Sequence, residues 1–186
     1  MSPESRSEVK GVWFVSARGY VLAEFGSEML EEIIEQLLPE HREVMADPLP
    51  SSWYPEEALQ DLLAVLHGSV AQGDDRRYVK LVTGASVHAA NRFFRAILGL
   101  ASTGFVMRKT PVFWNRLRRG AGRVEVESSP GRSLLQYRDF PYFADPNYRL
   151  MAEGSLRGLC EICGTGGYDV QIQEHGADWV DILVTY

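Results

Sequence analysis

Residues 145–186 read DPNYRLMAEGSLRGLCEICGTGGYDVQIQEHGADWVDILVTY, and the period of their apolar residues changes once along the way. From Asp145 to Cys163 the apolar positions are Tyr148, Met151, Ala152, Leu156, Leu159, Cys160 and Cys163, one continuous stripe at helical spacing. Asp145 is an N-cap type, Pro146 suits the first helical position, and Gly164 suits the end. Beyond it, YDVQIQ and WVDILVTY alternate around EHGAD, so Tyr168, Val170, Ile172 and Val180, Ile182, Val184 share an apolar face of a hairpin. A long helix followed by a hairpin is the reading.

The helix also decides what Cys160 and Cys163 are. A Cys-x-x-Cys pair can be a redox centre, half of a metal site, or two small hydrophobes. Redox pairs sit at a helix N-terminus, where the dipole stabilises thiolate, and this pair lies at the opposite end. A metal would need two more ligands, and the hairpin offers only His175 and carboxylates. The pair reads as core.

Upstream, RVEVES alternates, SPGR is a turn, and SLLQYRDF returns as a partner strand. The first two thirds of the chain are helical in pattern. GVWFVSARGYVLAEFG forms an apolar helix stopped at Gly26. SEMLEEIIEQLLPE puts Met29, Leu30, Ile33, Ile34, Leu37 and Leu38 on one stripe. After a loop at Pro48 and Pro50, SSWYPEEALQDLLAVLHGSV aligns Leu59, Leu62, Leu63, Leu66 and Val70. GDDRR opens a further helical region through SVHAANRFFRAILGLAS with an expected break near Gly84, and KTPVFWNRLRRG is a short helix. The expected fold is α+β: a helical block, a hairpin, a long helix and a second hairpin, the strands forming one four-stranded antiparallel sheet. Residues 1–186 read as a single domain, with 1–8 a flexible tail.

Composition bounds the function. A hydrophobic share of 45% and a charged share of 24% are ordinary for a soluble globular protein. The net charge of −6 argues against nucleic acid as a partner. Two cysteines make no disulfide scaffold, MSPESRSEVK is no signal peptide, and no apolar run approaches the ~20 residues of a membrane span. A cytoplasmic setting is expected.

VKGVWFVSARGYVLAEFG resembles the opening helix of the haem-NO-binding (H-NOX) domains. FVMRKTPVFWNRLRRGAGRVEVESSPGRSLLQYRDFP resembles the middle of vinyl-reductase-type small-molecule-binding domains, whose closing helix and hairpin also match. These share a fold with Bet3-like subunits of the TRAPP tethering complex. LPSSWYPEEAL and TPVFWNRL are similar to segments of a bacterial family expanded in myxobacteria. The resemblance runs from Val9 to Tyr186. It implies a cavity between helices and sheet for haem or an acyl chain, and homodimers formed through the N-terminal helices.

The departures bear on cofactor. The family's haem-ligating histidine lies on the helix before the first hairpin, here PVFWNRLRRG, which has none. Its Tyr-x-Ser-x-Arg motif becomes YRDFP: Tyr137 matches, while Asp139 and Pro141 replace the serine and arginine. Haem is therefore not expected, and no other cofactor is. The final hairpin lacks the cysteines that vinyl-reductase-type domains carry there, so no metal is expected either.

No nucleophile elbow, Walker loop or His-Glu-x-x-His is present, and GTGG at 164–167 follows a helix, the wrong order for a phosphate cradle. His41, His67, His88 and His175 are isolated in sequence; His88, beside alanines, reads as a packed or surface residue. The candidate ligand pocket is Phe93, Phe94, Ile97, Phe105, Phe113, Trp114 and Tyr137, residues that could equally pack solid. Arg108, Lys109, Arg116, Arg118, Arg119 and Arg123 form a basic cluster in an acidic chain, either a docking patch for an acidic partner or anionic headgroup, or a solvated helix face. The expected function is a non-enzymatic sensory or adaptor domain that binds a hydrophobic small molecule or a partner protein. The alternatives are a haem gas sensor with a non-standard ligand, His88 the least poor candidate, a docking module without a cavity, and a thiol redox enzyme.

Overall fold

The computed structural model describes residues 7–93, 101–164 and 166–186, without the side chains of 91–93. β1 (Glu8–Lys10) leads into α1 (Val12–Gln36), then α2 (Pro39–Ala46), β2 (Trp53–Pro55) and α3 (Glu56–Val65), which runs on as a π-helical turn, Leu66–Val70. α4 (Asp75–Phe93), α5 (Thr103–Arg108) and α6 (Thr110–Leu117) complete the helical block. β3 (Arg118–Arg119), β4 (Arg123–Ser129), β5 (Arg132–Arg138), α7 (Pro146–Ile162), β6 (Asp169–His175) and β7 (Val180–Thr185) follow.

β4, β5, β7 and β6 lie in that order in one antiparallel sheet, with Leu135 opposite Ile182 and Ile182 opposite Ile172. Leu135, Val180, Ile182 and Val184 are fully buried, each stabilising the fold by about 1.5–3 kcal/mol over an exposed side chain. The other face is half-buried or exposed, as for an antiparallel sheet covered on one side. α7 packs on β6 and β7 and also on α4, where Gly154 and Gly158 lie against Val82 and Ser86. The Asp145 carboxylate accepts from the Asn147 amide at 2.9 Å, which is the cap expected from the sequence.

A second sheet, in the order β2-β1-β3, was not legible in the sequence. Val9 pairs with Tyr54 on one side and Arg118 on the other. Two corrections and one helix boundary follow from it. Ser7 is buried and Glu8 opens β1, so these two residues belong to the fold and not to a tail. Arg118 and Arg119 leave the short helix and enter a strand. Pro55 ends β2, and α3 begins at Glu56.

Gly26, at φ 86°, interrupts α1 where the helix was expected to stop, and helix resumes directly after it. Gly84 breaks nothing. A Cβ there would meet the Tyr20 hydroxyl at 2.2 Å, so this glycine lets α4 approach α1 closely. Leu38, assigned to the buried stripe, is exposed. Among the described residues no helix is long and apolar enough to cross a membrane.

Candidate functional site: an apolar cavity with one buried arginine

Where the two sheets and the helical block converge lies a cavity of about 290 Å3, close to the lower end of the ~300–1,000 Å3 usual for small-molecule sites. α1 contributes Trp13, Ser16 and Tyr20, and α3 contributes Leu59 and Leu62. α4 turns Ala85 and Ala89 toward the cavity, small residues that keep it open. α6 adds Thr110, Phe113 and Trp114, α7 adds Met151 and Ser155, and β5 adds Tyr137.

Arg118 lines this space and is only 6% exposed. The small sheet puts it there: β3 pairs with β1, β1 pairs with β2, and Glu56 is the first residue after β2. Arg118 Nε donates to Glu56 Oε1 at 3.2 Å, and Tyr148 donates to the same oxygen at 3.0 Å. Glu56 is completely buried. The guanidinium lies 4.6 Å from the Trp114 ring, 5.1 Å from Trp13 and 5.6 Å from Phe140, an aromatic box that favours a desolvated cation. Burial pushes the Tyr137 phenol up and Arg118 opposes the shift; burial, then Glu56, pushes Tyr148 up.

Four lining residues carry buried polar atoms without a hydrogen-bond partner: Trp13 Nε1, Thr110 Oγ1, Arg118 Nη2 and Ser155 Oγ. Such orphans are rare in protein interiors. Among the described lining residues there is no histidine, cysteine, aspartate or glutamate. Among the described lining residues, the groups with an atom capable of binding iron are the Tyr20 and Tyr137 phenols and the Met151 thioether.

Of the residues expected to form a pocket, Phe113, Trp114 and Tyr137 line the cavity. Phe105 is 47% exposed and takes no part, because it points outward from α5 under the Lys109 ammonium, 5.5 Å away. Phe93, Phe94 and Ile97 lie outside the described residues. The basic cluster is divided. Arg118 is buried, Arg119 pairs with Glu8 at 2.5 Å, and Arg123 pairs with Glu125 and Asp139, while Arg108, Lys109 and Arg116 are exposed.

His88 is half-buried against the Tyr20 ring, 6.2 Å away, and does not line the cavity. His41 and His67, isolated in sequence, each meet an aspartate, Asp61 and Asp75, at 2.9 Å. Both cysteines are free; Cys160 is fully buried, and burial pushes its thiol up to about 12. Among the described residues no group of three or more metal-binding side chains occurs.

No protein-family model and no curated protein matches the chain in sequence. Solved structures match its fold. An H-NOX protein from S. oneidensis in the Fe(II)NO state is 16% identical, with a TM-score of 0.67 over 94% of this chain and 97% of that one. A doubly substituted Tt H-NOX is 11% identical, with a TM-score of 0.70 over 95% and 94%. A protein whose haem redox potential is modulated by porphyrin distortion is 9% identical, with a TM-score of 0.68 over 95% and 99%. The expectation that this chain is without a cofactor, haem included, is overturned by these neighbours, which are haem proteins along nearly their whole length. That expectation rested on the missing histidine in PVFWNRLRRG and on Asp139 and Pro141, and the fold is kept despite all three. The chain has the H-NOX fold.

Proposed function

We propose that this chain is a non-enzymatic sensory domain that holds a haem-class cofactor in the cavity between its helical block and its sheet. The carrying observation is the apolar cavity itself, found where the helices meet Tyr137 of β5 in a fold that superposes over 95% of the chain on a haem protein. Arg118, Trp13 and Thr110 would take the propionates, and Tyr137, Tyr20 or Met151 would face the iron. Bound haem supplies an iron that takes a diatomic gas, as in the Fe(II)NO state of the S. oneidensis neighbour. The surrounding leucines and alanines exclude water from it.

A second reading is an apolar carboxylic acid without metal. It is favoured by the lack of a histidine among the described lining residues and by a volume of about 290 Å3, just below the usual range. Haem titration decides. A Soret band that stays with the protein through gel filtration at one haem per chain supports the first reading, and its absence leaves the second.

Transmission calls for a partner. We assign it an acidic one, docking on Arg108, Lys109 and Arg116 beside exposed Phe105 and Val112. Charge reversal at Arg108 and Lys109, neither of which lines the cavity, should abolish its capture without altering ligand binding.

A further inference from the structure

We propose that Arg118 is a carboxylate anchor, and that the ligand of this cavity is an apolar body carrying a free carboxylate beside that side chain. The inference rests on the cavity-binding reading above and narrows it to a chemical class. Arg118 is a full cation inside an apolar void, and a guanidinium offers five N–H donors in a fixed fork. Its Nε is used by Glu56, and Nη2 has no partner although it is sealed from solvent. The rings of Trp13 and Trp114 stabilise the charge but offer no lone pair to that N–H. Trp13 Nε1 and Thr110 Oγ1 are buried donors in the same lining, equally unpartnered. Three donors and no acid among the described lining residues select an acceptor-only group on the ligand. A carboxylate is planar and takes an arginine edge, and the apolar remainder of the lining takes the rest of the molecule.

The position of this arginine argues for a dedicated role. It is not in the YRDFP segment on β5 and after, where Pro141 stands. It comes from a strand of two residues, held by β1 and fixed by a fully buried glutamate. A buried ion pair is seldom favoured over apolar packing for stability alone. Glu56 aims the fork, and the second edge of the fork is left for a ligand.

Two carboxylate sources fit, a porphyrin side chain and a fatty acid, and the test separates them. Binding of haem and haem dimethyl ester, and of dodecanoate and methyl dodecanoate, is measured on the full chain by absorbance and tryptophan quenching. We expect at least one acid to bind about tenfold to a hundredfold tighter than its ester, the range of one or two charged hydrogen bonds. The pair that shows the preference identifies the source. In the double variant Arg118→Met/Glu56→Gln, which leaves no unpaired buried charge, acid and ester should bind alike. Equal binding of acid and ester by the unaltered protein overturns the anchor while leaving the cavity reading intact. A preference that persists in the double variant overturns it as well. If neither acid nor ester binds, the cavity reading falls and the anchor falls with it.

Discussion

Removing the guanidinium of Arg118 leaves Glu56 as a fully buried carboxylate supported by the Tyr148 hydroxyl. Losing one partner of such a pair costs about 3–5 kcal/mol, whereas losing both charges together costs far less. Arg118→Met should therefore lower the urea midpoint sharply, and adding Glu56→Gln should recover most of the loss. Cys160 gives a second expectation, this one in pH. Its thiol is neutral in the fold and held up to about 12 against an ordinary 9, so its contribution is whole below pH 9. That contribution fades as pH rises from 9 toward about 12, because the unfolded chain can release the proton and the folded chain cannot. Urea midpoints of the native protein should fall through that window more steeply than those of Cys160→Ala. Thiol reagents should leave Cys160 untouched at neutral pH until the protein is unfolded. The cysteine's role was legible from helical spacing. The arginine's was not, since Arg116 and Arg119 lie beside it in sequence, and the alternation of side chains on β3 buries Arg118 while leaving Arg119 exposed.

At the scale of the element, Asp145 caps α7 through the Asn147 amide and also accepts from Gln60 Nε2 of α3 at 3.1 Å. Asp145→Ala should cost about 1 kcal/mol for the cap and somewhat more for the lost link, read as a lower thermal midpoint. Gly84→Ala should be harmless to helix propensity yet displace Tyr20, whose hydroxyl occupies that space. Ligand affinity should therefore change more than stability, because Tyr20 lines the cavity. Periodicity located both hairpins and α7 well, since each carries its pattern within its own residues. β1, β2 and β3 are two or three residues long. No period can be read over so short a stretch, and β2 and β3 are strands only through their pairing with β1 between them.

For the whole molecule, the cavity is what the helical block and sheet leave between them, and Ala85 and Ala89 keep it open. Ala89→Phe should fill it. Haem or dodecanoate binding should be lost while the thermal midpoint stays level or rises, because added apolar contact replaces void without opening the core. In the unaltered protein the bound ligand should raise the midpoint with concentration.

By itself the sequence determined the α+β class, both hairpins, the cap and extent of α7 and the place of Cys160 in the core, because these follow from contacts close along the chain. It also supplied Phe113, Trp114 and Tyr137 as cavity residues. Only the tertiary structure decided that Glu56 and Arg118 meet, that Phe105 stays outside, and that Arg118 alone of the basic cluster is buried. Glu56 and Arg118 are 62 positions apart, and the small sheet that joins them spans three distant segments. A local pattern cannot encode a pairing of that range, and the dry environment that gives the pair its chemistry exists only once the chain has closed around it.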